Sequence, residues 1–156
     1  MLDINGQTYE TKFNYKFHQR LIDDFSTKEI DGFSRLINLL VDKNPVALVK
    51  GYRYAITAKN LPSEDQVAEA LDAKGIWDQA DPYGDFYKQL KQDGFLRHRL
   101  RLLMDSADKD VIDTKQTLAN AGKLMTKKER EELEIALTGY EVQTNNFKTG
   151  IKALEA

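Results

Sequence analysis

The stretch from Asn44 to Leu71, NPVALVKGYRYAITAKNLPSEDQVAEAL, leaves the chain fewer choices than any other. Asn44 can cap a helix while Pro45 takes its first turn, where a missing N–H costs nothing. Val46, Val49, Tyr52 (or Arg53) and Ile56 then recur at helical spacing, a pattern that strict alternation does not fit. Leu61-Pro62 is expected to end this helix, because proline pushes the residue before it out of the α region. Ser63 with Gln66 three residues on makes a capping box, and Glu64 and Asp65 suit the positive end of a second helix. Its apolar stripe continues through Val67, Ala70 and Leu71. The stretch is two helices and the corner between them. None of its residues is chemically reactive, which points towards packing or binding.

Upstream, Leu2, Ile4, Thr8 or Tyr9, Thr11 and Phe13 alternate with polar residues around Asn5-Gly6, a pair suited to a turn that needs positive φ twice. This predicts two short strands over roughly 2–5 and 7–13. A lone hairpin is marginal in water, so it must lie on helices or pair with another chain. Phe17, Leu21, Ile22 and Phe25 share a face of a helix over Asn14–Phe25, and Phe33, Leu36, Ile37, Leu40 and Val41 mark another over Gly32–Asp42. Gly75, Asp81-Pro82 and Gly84 make 74–84 a break, with Asp81 and Pro82 opening a helix that should run from about Tyr83 to Met104. Phe86, Leu90, Phe95 (or Gly94), Leu96, Leu100, Leu103 and Met104 would face inward, although Gly84 and Gly94 weaken the helix.

After Met104 large apolar residues thin out: Val111, Ile112 and Leu118 are the main ones before Gly122. Thr126 with Glu129 is a second capping box, opening a helix through Leu133, Leu137 and Tyr140 towards Phe147 and Leu154. Gly139 and the polar run 144–146 interrupt its pattern. The boundary is placed near 105, giving a hairpin plus helical core domain over 1–104 and a helical C-terminal arm or extension over 105–156. The predicted class is α+β, predominantly α-helical: an N-terminal β-hairpin, a helical bundle and the arm.

With 156 residues the chain is long enough for a sizeable core. Lys and Arg number 23 against 25 Asp and Glu, a net charge of -2, which disfavours a general nucleic-acid binder. No cysteine is present, so disulfide and thiol chemistry are excluded, as a reducing cytoplasm would allow. MLDINGQTYETKF has neither the basic nor the apolar region of a signal peptide, and no apolar run is long enough for a bilayer. A cytoplasmic location away from membranes is the expectation.

Catalysis needs groups that can be paired, and the two histidines, His18 and His98, belong to no ligand-spaced set. His18 is expected at the surface or its boundary, and His98 at the basic end of a helix. Asp108, Asp110 and Asp113 lack the glycine and terminal glutamate of an EF-hand loop and suit a solvated face. Neither GxSxG, Walker A nor GxGxxG occurs. No catalytic residue, metal site or cofactor is therefore assigned. Arg97 and Arg101 share a helix face and could hold phosphates or an acidic partner helix; equally, they could pair with nearby carboxylates and complement the helix terminus. Trp77, in a Gly/Asp/Pro-rich connection, is the aromatic residue most suited to a partner, against corner packing as the plainer account. Trp77, Arg97 and Arg101 are the candidate partner-binding residues.

The opening LDINGQTYETKF, the helix NYKFHQRLIDDF and the run DGFSRLINLLVDKNPVALVKGYRYAITAKNLPSEDQVAEAL together resemble the tail assembly chaperones of long-tailed phages and prophages of Gram-positive bacteria. The likeness is closest at NPVALVKGYRYAITA and the short helix after it, and it spans roughly 2–104. It implies a small, mostly helical, non-enzymatic protein that coats the aggregation-prone tape measure protein and helps recruit tail tube subunits. Such proteins act in the host cytoplasm and are absent from the finished virion. The family has no catalytic residues to carry over, and residues 105–156 lie outside the likeness. Copies arrayed along one long client would tend to associate head to tail, through the hairpin edge or the 105–156 arm. Two alternatives stand beside this: a small helical nucleic-acid-binding or regulatory protein using the Arg97–Arg101 helix end, and a structural minor tail or connector protein.

Overall fold

A computed structural model describes residues 1–121 and 124–156. Strands β1 (Leu2–Ile4) and β2 (Gln7–Tyr9) pair antiparallel, with Leu2 opposite Tyr9 and Ile4 opposite Gln7. Asn5 and Gly6 supply the turn, both left-handed at φ 52° and 79°. Leu2 and Ile4 are buried, and β1 lies against helix α4 (Glu64–Ala73). Beyond Tyr9 the chain leaves β1 and runs beside residues 55–57 instead. Lys12 N–H donates to Ala55 O at 2.8 Å, and Thr57 N–H to Glu10 O at 2.9 Å.

That pairing corrects the expected length of the next element. Helix α3 (Pro45–Ala55) does not continue to Leu61-Pro62; Ile56 is already extended, at φ -60° and ψ 128°. The reason is tertiary. The guanidinium of Arg20, on α1 (Tyr15–Phe25), donates to the carbonyl oxygens of Tyr54, Ile56 and Ala58, which a continuing helix would have needed itself. Asn44 caps α3 through Val46 N–H, with Pro45 in the first turn. Its inward face is Ala47, Leu48, Gly51, Tyr52 and Tyr54, so Val46, expected in the stripe, is turned out to solvent.

The other helix starts lie where their caps put them. Asn14 caps α1, Asp31 caps α2 (Gly32–Val41), and Ser63 with Gln66 closes a reciprocal capping box on α4. The helix expected over 83–104 is two helices, α5 (Pro82–Gln92) and α6 (Gly94–Ala107). Asp93 breaks it: its extended backbone ends α5, and its carboxylate accepts Leu96 N–H at 2.9 Å to start α6.

Residues 109–121 form α7 (Lys109–Ala121), none of whose residues is buried. After the Thr126–Glu129 capping box, α8 (Lys127–Glu155) runs unbroken for 29 residues, through Gly139 and the polar run at 144–146. It packs along α7, where Lys115 and Glu141 pair at 3.2 Å. Its last turns lie across α2 and α5, where Ile151 and Leu154 are buried with the main core around Phe17, Phe33, Leu48 and Phe86. A Cβ at Gly150 would sit 2.1 Å from Val41 Cγ1, which shows how closely α8 crosses α2. The architecture is α+β and predominantly helical: a hairpin, a helical bundle, and an α7–α8 pair whose last turns return to the bundle.

Candidate partner-binding surface

Helices α5 and α6 diverge from the Asp93 corner, and the last turns of α8 bridge them, leaving an open groove of about 640 Å³. Its floor is apolar: Tyr87, Leu100 and Ile151 are buried and Met104 is half-buried. Its rim is cationic, carrying Lys91, Arg97, Arg101, Lys148 and Lys152 against the single carboxylate of Glu155. Lys91 pairs with Glu155 at 2.7 Å, and Lys148 with both oxygens of Asp108 at 2.6 and 2.8 Å. Arg97, Arg101 and Lys152 form no ion pair among the described residues. Arg97 instead donates to the Lys91 carbonyl at 3.0 Å, at the negative end of α5. Burial, and then the charge of Glu155, push the Tyr87 phenol up to about 12, so the floor stays neutral at any physiological pH.

Arg97 and Arg101 are thus brought together, one helical turn apart on one face of α6, both exposed. Neither takes a carboxylate partner among the described residues. Arg99, between them, points the other way. Its Nε donates to His18 Nε2 at 3.2 Å, and its guanidinium lies 5.9 Å from the Phe33 ring centroid. His18, expected near the surface, is buried between Phe33 and Phe95, with ring centroids 5.3 and 5.1 Å away. Burial and then Arg99 hold its pKa below the ordinary value, against a smaller upward pull from Asp31. Its Nδ1 has no hydrogen-bond partner among the described residues, so His18 is a packing residue with one orphaned nitrogen.

Trp77 does not join the groove. It sits half-buried in the α4–α5 connection, packed against the core. The α8 contribution was missed in the sequence. Lys148, Ile151 and Lys152 place two cations and an apolar residue within one helical turn, a visible signal once that turn is known to face α5 and α6. Among the described residues, no three His, Cys, Asp or Glu side chains are grouped to hold a metal ion. No described helix is long and apolar enough to cross a membrane. What the groove can do is hold an anionic surface with an apolar centre.

No curated protein and no solved structure matches the chain. A family model does: the model for phage tail assembly chaperone proteins matches residues 1–103, which takes in the β-hairpin, α1 to α5 and most of α6. This chain belongs to the phage tail assembly chaperone family.

Proposed function

We propose that this protein binds the tape measure protein of a long-tailed phage or prophage of a Gram-positive host, keeps it soluble and helps recruit tail tube subunits to it. It works by binding without catalysis, in the host cytoplasm, and leaves before the virion is complete. The observation that carries this reading is the family match over residues 1–103. The groove supports it in kind, since a binding protein needs an apolar floor for contact area and charges at the rim for orientation. Arg97, Arg101 and Trp77 are the residues proposed to meet partners.

Co-expression with the tape measure protein tests the reading. The client is expected to move from the insoluble to the soluble fraction and to co-purify with the chaperone. A client that stays insoluble and unbound would refute the proposal. Mass spectrometry of purified virions separates the chaperone from a structural tail component, because a chaperone should be missing from them.

A further inference from the structure

We infer that the last turns of α8 fill, from within the chain, a site that receives a helix of the client, and that the client helix displaces them. The inference rests on the chaperone reading above, and names the surface, the kind of helix it takes and what guards it.

The family match ends at residue 103, yet the face that α2, α5 and α6 present is closed by residues far beyond it. Of the described residues of α7 and α8, Thr144, Ile151 and Leu154 are the buried ones. Phe147 packs against the core from a half-buried position. The hold of these two helices on the bundle is thus concentrated in one short segment. It presents Phe147, Ile151 and Leu154 at i, i+4 and i+7, the spacing by which an amphipathic helix seats in a groove. Gly150 lets it pass α2, because a Cβ there would sit 2.1 Å from Val41 Cγ1. The seat therefore selects three large apolar residues and one small one. An extended segment does not suit it, since its backbone groups would find only helices on this face among the described elements.

What else fastens the segment is exchangeable. Lys91–Glu155 and Lys148–Asp108 are ion pairs whose side chains are between 36% and 43% exposed, and pairs so well solvated add little. A client helix with large apolar side chains at i, i+4 and i+7 and a small one at i+3 replaces the contacts that Phe147, Gly150, Ile151 and Leu154 give up. While α8 is seated the site is closed, so client affinity is scaled by the fraction of molecules in which it is open. The apolar face stays covered until a client is present to cover it.

The chain has no cysteine, so one engineered disulfide can fix the segment in place. A Cβ at 150 lies 3.2 Å from Val41 Cβ, within a few tenths of an ångström of the roughly 3.5–4.5 Å found in disulfides. Full-length Val41→Cys with Gly150→Cys, oxidised or reduced, is titrated against segments of the tape measure protein fused to a soluble carrier. Thiol titration confirms the disulfide, and circular dichroism confirms the fold. The oxidised form should bind at least about tenfold more weakly than the reduced one, while the wild type ignores reductant. Gly150→Ala, which loosens the crossing, should bind about tenfold more tightly than wild type; a residue that only supports the fold would not raise affinity. Hydrogen exchange on the wild type reads the same opening without a variant. Amides of 147–155 should exchange through a partial opening, while those of α2 and α5 await global unfolding. Equal binding by the oxidised and reduced forms, no gain from Gly150→Ala, or exchange at 147–155 only through global unfolding would each overturn the inference and leave the chaperone reading standing. Client segments bound by no form, wild type included, refute the chaperone reading, and this inference falls with it.

Discussion

His18 is a neutral base held where it cannot easily charge, and this has a pH consequence. Its folded pKa is lowered, so between that value and the unfolded value of 6.5 the unfolded chain binds more protons. Stability from this site is therefore complete above about 6.5 and lost as pH falls through the folded pKa. Asp31, nearby, works in a different window. Burial would raise its pKa, but hydrogen bonds from Ser34 N–H and Oγ, the charge of Arg99 and the Phe33 N–H together outweigh it, so its contribution is lost only below the usual carboxylate value of 3.8. Urea midpoints measured from pH 7.5 to 5.5 should fall for the wild type and fall less for His18→Gln, which can still accept from Arg99. The histidine's burial could not be read from its neighbours in sequence. Phe95 and Arg99, which cover it, arrive more than seventy residues later.

Glycines in one helix can have opposite meanings, and α8 holds both. At Gly150 a Cβ would strike Val41 on α2, whereas at Gly139, on the exposed side, it would meet nothing within 4 Å. Alanine at 139 should stabilise the protein by about 0.5–1 kcal/mol, the helix penalty of glycine removed. Alanine at 150 gains the same helix propensity yet should cost about 1–3 kcal/mol net, because the overpacked crossing must open. Thermal melts of the two single variants should move in opposite directions. The starts of elements are the legible part at this scale, since a cap needs only the residue and the N–H three positions on. Asp93 was the exception. The apolar face continues across it from Leu90 to Leu96, so periodicity saw one helix where the cap makes two.

For the whole molecule, the question is which part of residues 105–156 the core requires. The last turns of α8 bury Ile151 and Leu154 and supply Glu155 to Lys91. Ending the chain after Met104 removes both side chains from the core, at about 1.5–3 kcal/mol each, out of a total stability of about 5–15 kcal/mol for a domain. This fragment should unfold at markedly lower urea and bind a dye for exposed apolar surface. Replacing only 116–140 by a short Gly-rich turn, just inside the Lys115–Glu141 pair, should change stability by less than about 1 kcal/mol, because no buried residue of α7 or α8 lies in that stretch. Denaturant titration of the two deletions distinguishes an arm that is needed from one that is only carried.

The sequence by itself determined the left-handed turn at Asn5-Gly6, the helix starts at Asn14, Asn44, Ser63, Asp81 and Thr126, and the apolar stripes that became the core. These are set by atoms within a few residues of one another. Only the tertiary structure decided where α3 stops, which cations share a groove and that the end of α8 returns to the bundle. Each of those depends on groups far apart in the chain: Arg20 on the Ile56 carbonyl 36 residues away, Lys148 on Asp108 40 residues away, Lys91 on Glu155 64 residues away. Local pattern fixes an element's period and its start. Its end and its neighbours are set by whatever else competes for its carbonyls and its apolar face.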